Sequence, residues 1–416
     1  MGRVNYALFL AVVALLPFPQ IFLRYACVAW IIAWFLELRW LNTSTLRHRV
    51  TNSKIWIPFA VFGLWYGWHA VSGLWAEDHV AWGAQMERYI TFGALVPVGL
   101  WGVNDYYNWR QAGKTLVFSS LISVPIYLFW MALLYFHADW ITLLPIEGPW
   151  TQHSNWWMFF SDNFSHFKHR LFYCSTLFMA IVATVYVYRE KKWLWALIIP
   201  VLFSPALMTG SRQALLSSIA MTLVYILCQM PKGYRLRYGG SIIITSILIG
   251  AALLAFHPRM RSFDYSEIAH MRELSYYHDE RTNLYGCALQ HPSDYLSHGV
   301  GGGQGAHYID NIYLEWGFTM ADLHKHVHNQ YLEELIETGI PGLLLFLLAW
   351  LTIPLCAQKK ERHTALLFTT LYALNMCTDG VFTMFDGIAL WAVMMLFIFA
   401  PTPPINSASD RGEYRD

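Results

Sequence analysis

Apolar residues run in long stretches along this chain, separated by short polar connections. Stretches of spanning or near-spanning length lie at 5–17, 19–37, 55–75, 85–101, 114–136, 171–188, 193–208, 211–229, 239–256, 340–357, 364–380 and 385–400. The pattern predicts an all-α polytopic membrane protein with about 12 transmembrane helices, since a straight helix needs about 20 apolar residues to cross. The first run is short of that, and Pro17 and Pro19 mark its turn into the second. Met1 to Leu16 carries only Arg3 and no small-residue cleavage site, so it reads as a retained first helix.

The basic residues orient these spans. With the N-terminus inside, the even-numbered connections carry Arg39, Arg47, Arg49 and Lys54; Arg110 and Lys114; Arg189, Lys191 and Lys192; Lys232, Arg235 and Arg237; and Lys359, Lys360 and Arg362. The opposite short connection at Glu77-Asp78 is acidic. Short basic loops stay on the cytoplasmic side, so both termini are expected there. Residues 1–256 then hold nine spans, 257–339 form a large exterior helical loop, 340–400 hold three more spans, and 401–416 form a cytoplasmic tail. A smaller exterior loop at about 137–170 carries Trp140, Trp150, Trp156 and Trp157, residues that favour the membrane interface.

Composition agrees. The chain is 56% hydrophobic and only 13% charged, too few charges to cover a soluble protein of this size. A net charge of +1 provides no basic face for nucleic acid. Cys287 is the lone thiol of the large loop, and neither a disulfide nor Cys/His zinc spacing is in prospect.

Within the large loop, Tyr265 to Gln290 has helical composition and His291-Pro292 stops it. Gly299 to Gly305 reads as a flexible link; it lacks the Lys-Ser/Thr of a phosphate-binding loop. Asn329 to Thr338 reads as a helix with Asn329 as N-cap and Leu332, Leu335 and Ile336 as its apolar stripe. Gly339, Pro341 and Gly342 bend the chain into the tenth span. Glu333 and Glu337, one turn apart, read as a solvated face.

The sharpest local pattern is His328-Asn329, nine residues, Gly339, two residues, Gly342. A helix start followed by a glycine-permitted kink would give the same letters. The functional reading is a neutral imidazole at the membrane face acting as general base, for which histidine's pKa is suited. His324, His326 and His328 would share one side only in an extended chain, with only Asp322 nearby to complete a metal set, so no metal and no cofactor are expected.

This pattern resembles the signature of the O-antigen ligase family, within the wider group of O-antigen polymerases and protein O-oligosaccharyltransferases, whose architecture resembles membrane glycosyltransferase C-type folds. Thr209-Gly210-Ser211-Arg212 is similar to the family's Ser-Arg motif. Arg281, with Ala288-Leu289 and Gly299 to Gly303 after it, resembles its loop arginine. The fourth residue after Arg281 is Tyr285 where Leu is common, which keeps Arg272 as a rival. The resemblance implies transfer of a glycan from undecaprenyl diphosphate to a sugar hydroxyl of lipid A–core, on the periplasmic face of the bacterial inner membrane. His328 would be the base, and Arg212 and Arg281 would hold the diphosphate through bidentate bonds. Arg88, at the outer end of the fourth span, is a third diphosphate candidate. His326, Asn329 and Arg272 are further candidates for substrate contact. The rivals are a polymerase or protein oligosaccharyltransferase with the same donor and, from another class, a secondary transporter. A transporter would show two similar halves with midplane charges, whereas charge here gathers at the exterior end.

Overall fold

The computed structural model describes residues 2–38, 56–102, 107–136, 162–165, 167–209, 211–229, 233–234, 237–241, 243–245, 247–248, 280–315, 326–359 and 361–399. Every regular element among them is helical. The main helices are α1 (Gly2–Leu15), α2 (Gln20–Leu38), α3 (Trp56–Ser72), α4 (His79–Gly102), α5 (Trp109–Phe136), α6 (Arg170–Val187), α7 (Lys192–Met208), α8 (Arg212–Gln229), α9 (Glu280–Ala288), α10 (Gly305–Glu315), α11 (Gln330–Cys356), α12 (Arg362–Met376) and α13 (Phe385–Phe399). Each predicted span except 239–256 coincides with one of them, and that stretch lies largely outside the described residues. By length and composition, helices within Gln20–Glu37, Trp109–Leu133, Arg170–Val187 and Gln330–Cys356 can cross a membrane. The tryptophan-rich stretch 137–161, most of the expected Tyr265–Gln290 helix and the tail are outside the described residues.

Several helices are amphipathic in the inverted sense that a lipid surround requires. On α2, Ile21, Phe22, Tyr25, Val28, Ile32 and Phe35 are exposed, while Leu23, Cys27, Trp30 and Trp34 are buried. Leu344, Leu347, Leu348, Leu351 and Leu355 form a similar exposed stripe on α11, at the spacing of one helical face. Helix α13 is instead buried almost all round, the mark of a central element. It packs on α4, and α11 packs on α3 and α12.

The glycine-rich stretch is not a loose link. Helix α11 breaks at Gly339, whose φ of 68° is open to glycine. The break and the missing N–H of Pro341 strip partners from the carbonyls of the preceding turn. Val300 N–H donates to Ile336 O at 2.8 Å, and Gly301 N–H donates to Glu337 O at 3.0 Å. Trp68 Nε1 takes Thr338 O at 2.9 Å, and Ile340 N–H turns to Leu296 O at 2.9 Å. The segment 296–301 thus supplies bonds that the kink removes, and unsatisfied buried backbone is costly. The kink separates the predicted helix Asn329–Thr338 from the predicted tenth span.

A small second core joins α9, α10 and the start of α11. It contains Leu284, Cys287, Ile309, Ile312, Val327 and Ile336, with Leu332 and Leu335 packed against it. The predicted apolar stripe is therefore the face that docks α9 and α10.

Candidate active site

The site forms where the chain passes from that second core into α11. Val327 is 1% exposed and anchors the segment. His328 adopts a φ of 52°, uncommon for a residue with a side chain and held only where surroundings enforce it. Asn329 caps α11 as predicted, its Oδ1 accepting from Leu332 N–H at 3.0 Å. Its Nδ2 donates to Cys377 O at 3.1 Å. Both ends of this amide are engaged in the scaffold, which accounts for Asn329 without a substrate contact. Tyr285 Oη on α9 donates to His328 O at 3.2 Å. Phe382 N–H donates to Gln330 Oε1 at 2.9 Å. These bonds weld the connection between α12 and α13 to the start of α11.

That connection carries Asp379, a residue the sequence placed inside an apolar span ending at 380. Helix α12 ends at Met376 instead, and Asp379, 5% exposed, turns toward the histidines. Its Oδ1 lies 3.3 Å from His328 Nδ1 and 3.9 Å from His326 Nε2, and its Oδ2 lies 3.6 Å from His169 Nε2. The His326 and His328 rings are 4.4 Å apart between centroids. Burial, aided by His328, Arg88 and His169 and opposed by Asp379, pushes the His326 imidazole down to about 4. This favours the neutral imidazole, and its Nε2 has no hydrogen-bond partner among the described residues.

His326 and His328 thus find a carboxylate in Asp379; Asp322, the acid nearest in sequence, lies outside the described residues. His326, His328 and Asp379 offer three ligand atoms within 4.8 Å of one another. Two imidazoles and a carboxylate suit a transition metal with open positions. They equally suit a base held in one orientation by an acid, since a carboxylate on one ring nitrogen fixes the tautomer of the other.

The three candidate arginines sit on three helices, and the side chains of Arg212 and Arg281 lie outside the described ones. Arg88 on α4 is exposed, and its charge bears on both His326 and Glu333. Arg212 is the first residue of α8. The neighbouring Gln213 donates to Leu374 O at 2.6 Å, and Ser217 donates to Asn375 Oδ1 at 3.0 Å. Asn375 O in turn accepts from Asp379 N–H at 3.0 Å, so the start of α8 is tied to the turn that carries Asp379. Arg281 is the second residue of α9, one turn before Tyr285. Tyr285, the departure from the expected Leu, is thus the contact that brings α9 to His328. Arg272 and His324 lie outside the described residues.

The expected solvated face of Glu333 and Glu337 is corrected: both are buried, as is Glu334. Glu334 Oε2 accepts from Trp65 Nε1 and meets His69 Nε2, each at 2.9 Å, and Glu334 Oε1 accepts from Gln330 at 3.1 Å. Glu337 accepts from Gln85 and, at 3.3 Å, from Gly305 N–H. Helices α3 and α4 supply Trp65, His69 and Gln85, on the face of α11 opposite the apolar stripe. The missed signal was the pair of polar residues His69 and Gln85 inside apolar spans, since such residues face the bundle interior and seek partners.

Residues 195–347 match the family model described as O-Antigen ligase. The match runs from α7 across Arg212, Arg281 and His328 to just beyond the α11 kink, and it supports membership of the O-antigen ligase family. No curated protein matches the chain.

Proposed function

We propose that this protein is an O-antigen ligase, transferring O-antigen from undecaprenyl diphosphate to a sugar hydroxyl of lipid A–core on the periplasmic face of the inner membrane. The observation that carries the reading is His328, inside the family match, with Nδ1 facing the buried Asp379 carboxylate at 3.3 Å. In this arrangement Nδ1–H donates to Asp379 and leaves Nε2 as the basic nitrogen.

The acceptor hydroxyl gives its proton to His328 Nε2 as its oxygen bonds to the anomeric carbon. The bond from that carbon to the phosphate oxygen breaks, and the electron pair leaves with the diphosphate. Attack from the opposite face inverts the anomeric centre, the outcome expected for one base and no covalent glycosyl-enzyme. Asp379 balances the charge of the imidazolium that forms, as the buried acid does in a Ser-His-Asp triad. A diphosphate leaves without a strong general acid but requires cations to hold it. Arg212, Arg281 and Arg88 are assigned to that task, with guanidinium forks that match phosphate oxygens. Neutral His326 positions the acceptor or the diphosphate.

A second reading is favoured by the compactness of His326, His328 and Asp379, which would make them ligands of a metal ion. A polymerase of the same group would take the same donor and use a second lipid-linked glycan as acceptor. The deciding experiment is transfer by the purified full-length chain from lipid-linked glycan, with lipid A–core and a second lipid-linked glycan in competition. Product on lipid A–core supports the ligase, chain extension supports the polymerase, and no transfer to either overturns both.

A further inference from the structure

A second cavity, of about 450 Å³, lies at the other end of the first limb of α11 from His328. Its walls include Gly299 and Val300, whose segment seals the kink at Ile336 and Glu337. Nine residues of helix, about 14 Å of rise, separate Glu337 from His328. Trp75, Glu77 and Asp78, on the connection between α3 and α4, form one wall, and Asp294, His307 and Tyr308 form the other. The walls are fastened together. Gln304 Nε2 donates to Asp78 O at 2.9 Å, and Asp78 N–H donates to Gln304 Oε1 at 3.1 Å.

The lining has a distinct chemistry. Trp75 is held edge-on by His298, with centroids 5.4 Å apart. Tyr308 is fixed by its hydroxyl, which donates to His291 O at 3.1 Å and Asp294 Oδ2 at 3.4 Å. Two restrained aromatic side chains thus border a space otherwise bounded by carboxylates, amides and imidazoles, and its volume suits a small-molecule-sized ligand. Among the described residues no lysine or arginine lines it, and His307 faces the Asp78 carboxylate at 3.8 Å, so a phosphate or an anionic headgroup finds no guanidinium or ammonium to hold it. Backbone donation from Val80 and Ala81 keeps the Asp78 carboxyl below its ordinary range, which adds to the negative character. The cluster among the described residues whose spacing would suit a metal ion is elsewhere, at His326, His328 and Asp379. What remains is a ligand that offers hydroxyl donors along its edges and apolar C–H faces to aromatic rings.

We propose that this cavity is a carbohydrate subsite, which binds uncharged sugar units by packing them on Trp75 and Tyr308 and by accepting their hydroxyl donors at Glu77 and Asp294. The assignment rests on the glycan-transfer reading, and it gives a growing or accepting chain a second hold beyond the reacting sugar. Both the donor glycan and the core oligosaccharide present this chemistry.

The test is direct binding to the full-length chain in detergent, by calorimetry. One probe is an oligosaccharide released from the producing organism's own surface polysaccharide, the other its core oligosaccharide freed of lipid A. Binding of either probe, weakened about 5-fold or more in Glu77→Gln and Trp75→Ala and unchanged in His328→Ala, supports the subsite; the probe that binds identifies the source. Glu77 is exposed, so Glu77→Gln keeps the test valid should Trp75→Ala fail to fold. No binding of either probe, binding indifferent to the folded variants, or displacement by inorganic diphosphate overturns it. Binding without transfer in the wild type leaves the subsite standing and sinks the transfer reading. Transfer without binding sensitive to these residues does the reverse.

Discussion

His328 Nδ1 lies 3.3 Å from Asp379 Oδ1, although 51 residues and two helices separate them in the chain. The pair exists because Asn329 and Tyr285 both reach the Cys377 carbonyl, at 3.1 and 3.4 Å, and so fix the turn carrying Asp379 against the start of α11. If Asp379 orients the base, Asp379→Asn lowers kcat about 100-fold or more while donor KM moves little. Measuring kcat, KM and the unfolding midpoint together separates this from a folding defect. A raised KM with kcat unchanged would assign Asp379 to substrate binding instead.

The arginines are tested by conservative replacement. Arg212→Lys and Arg281→Lys keep the charge but lose the bidentate fork. Loss of one charge-assisted contact, worth about 1.5–3 kcal/mol, predicts about a 10- to 100-fold drop in transfer at limiting donor. Arg88→Lys is expected to follow them. Wild-type rates in Arg281→Lys with failure in Arg272→Lys would move the loop role to Arg272.

Gly339 carries the bend. A Cβ there would lie 2.7 Å from His298 N and 2.8 Å from Gly299 N, on backbone already at φ 68°. Gly339→Ala should therefore cost about 3 kcal/mol or more. Thermal unfolding in detergent reads this out, with Gly67→Ala on α3 as control, because nothing lies within 4 Å of a Cβ at Gly67. Equal midpoints for the two variants would remove the kink from the account of stability.

The helices under the predicted spans other than 239–256, the Asn329 cap and the docking stripe of Leu332, Leu335 and Ile336 were legible because periodicity and capping are local. Asp379 was not, because the sequence reads as a span over 364–380 that encloses it, and the Asn329 and Gln330 bonds hold the residues from 377 to 382 as a turn instead. Glu333 and Glu337 misled because an i, i+4 acidic pair has the same letters on a wet helix as on one facing polar groups across a bundle. Gln85 on α4, the partner of Glu337, is 252 residues distant, and His69 on α3, the partner of the neighbouring Glu334, is 265 residues distant. Gly299 to Gly303 read as slack because glycine permits flexibility. Here it permits close approach to a kink.

His326 makes acid stability a test of the site's burial. Its folded value of about 4 lies below the ordinary 6.5, so between these values the unfolded chain binds the proton that the folded chain excludes. The contribution is complete above pH 6.5 and is lost as pH falls from 6.5 toward 4. Unfolding midpoints of the wild type should fall across that window, and those of His326→Gln should fall less. Parallel curves would place His326 in an exposed, ordinary setting.

The remaining question, base or metal ligand, turns on His328 and chelation together. As a general base, His328→Ala loses transfer by about 100-fold or more while the folded chain still holds the lipid-linked donor, since the arginines supply the charge that binds it. EDTA then leaves wild-type transfer nearly unchanged, and His324→Ala is mild because no role falls to that side chain. As a ligand set, His326, His328 and Asp379 behave as one unit. Chelation abolishes transfer, a divalent cation restores it, and His326→Ala is as severe as His328→Ala, because either loss opens the same coordination sphere. The two outcomes also differ without activity. A metal would protect His326 and raise the unfolding midpoint on titration, an effect missing where the site holds only a proton. Full transfer by His328→Ala would sink both versions and leave the strained φ at His328 as nothing more than the cap of α11.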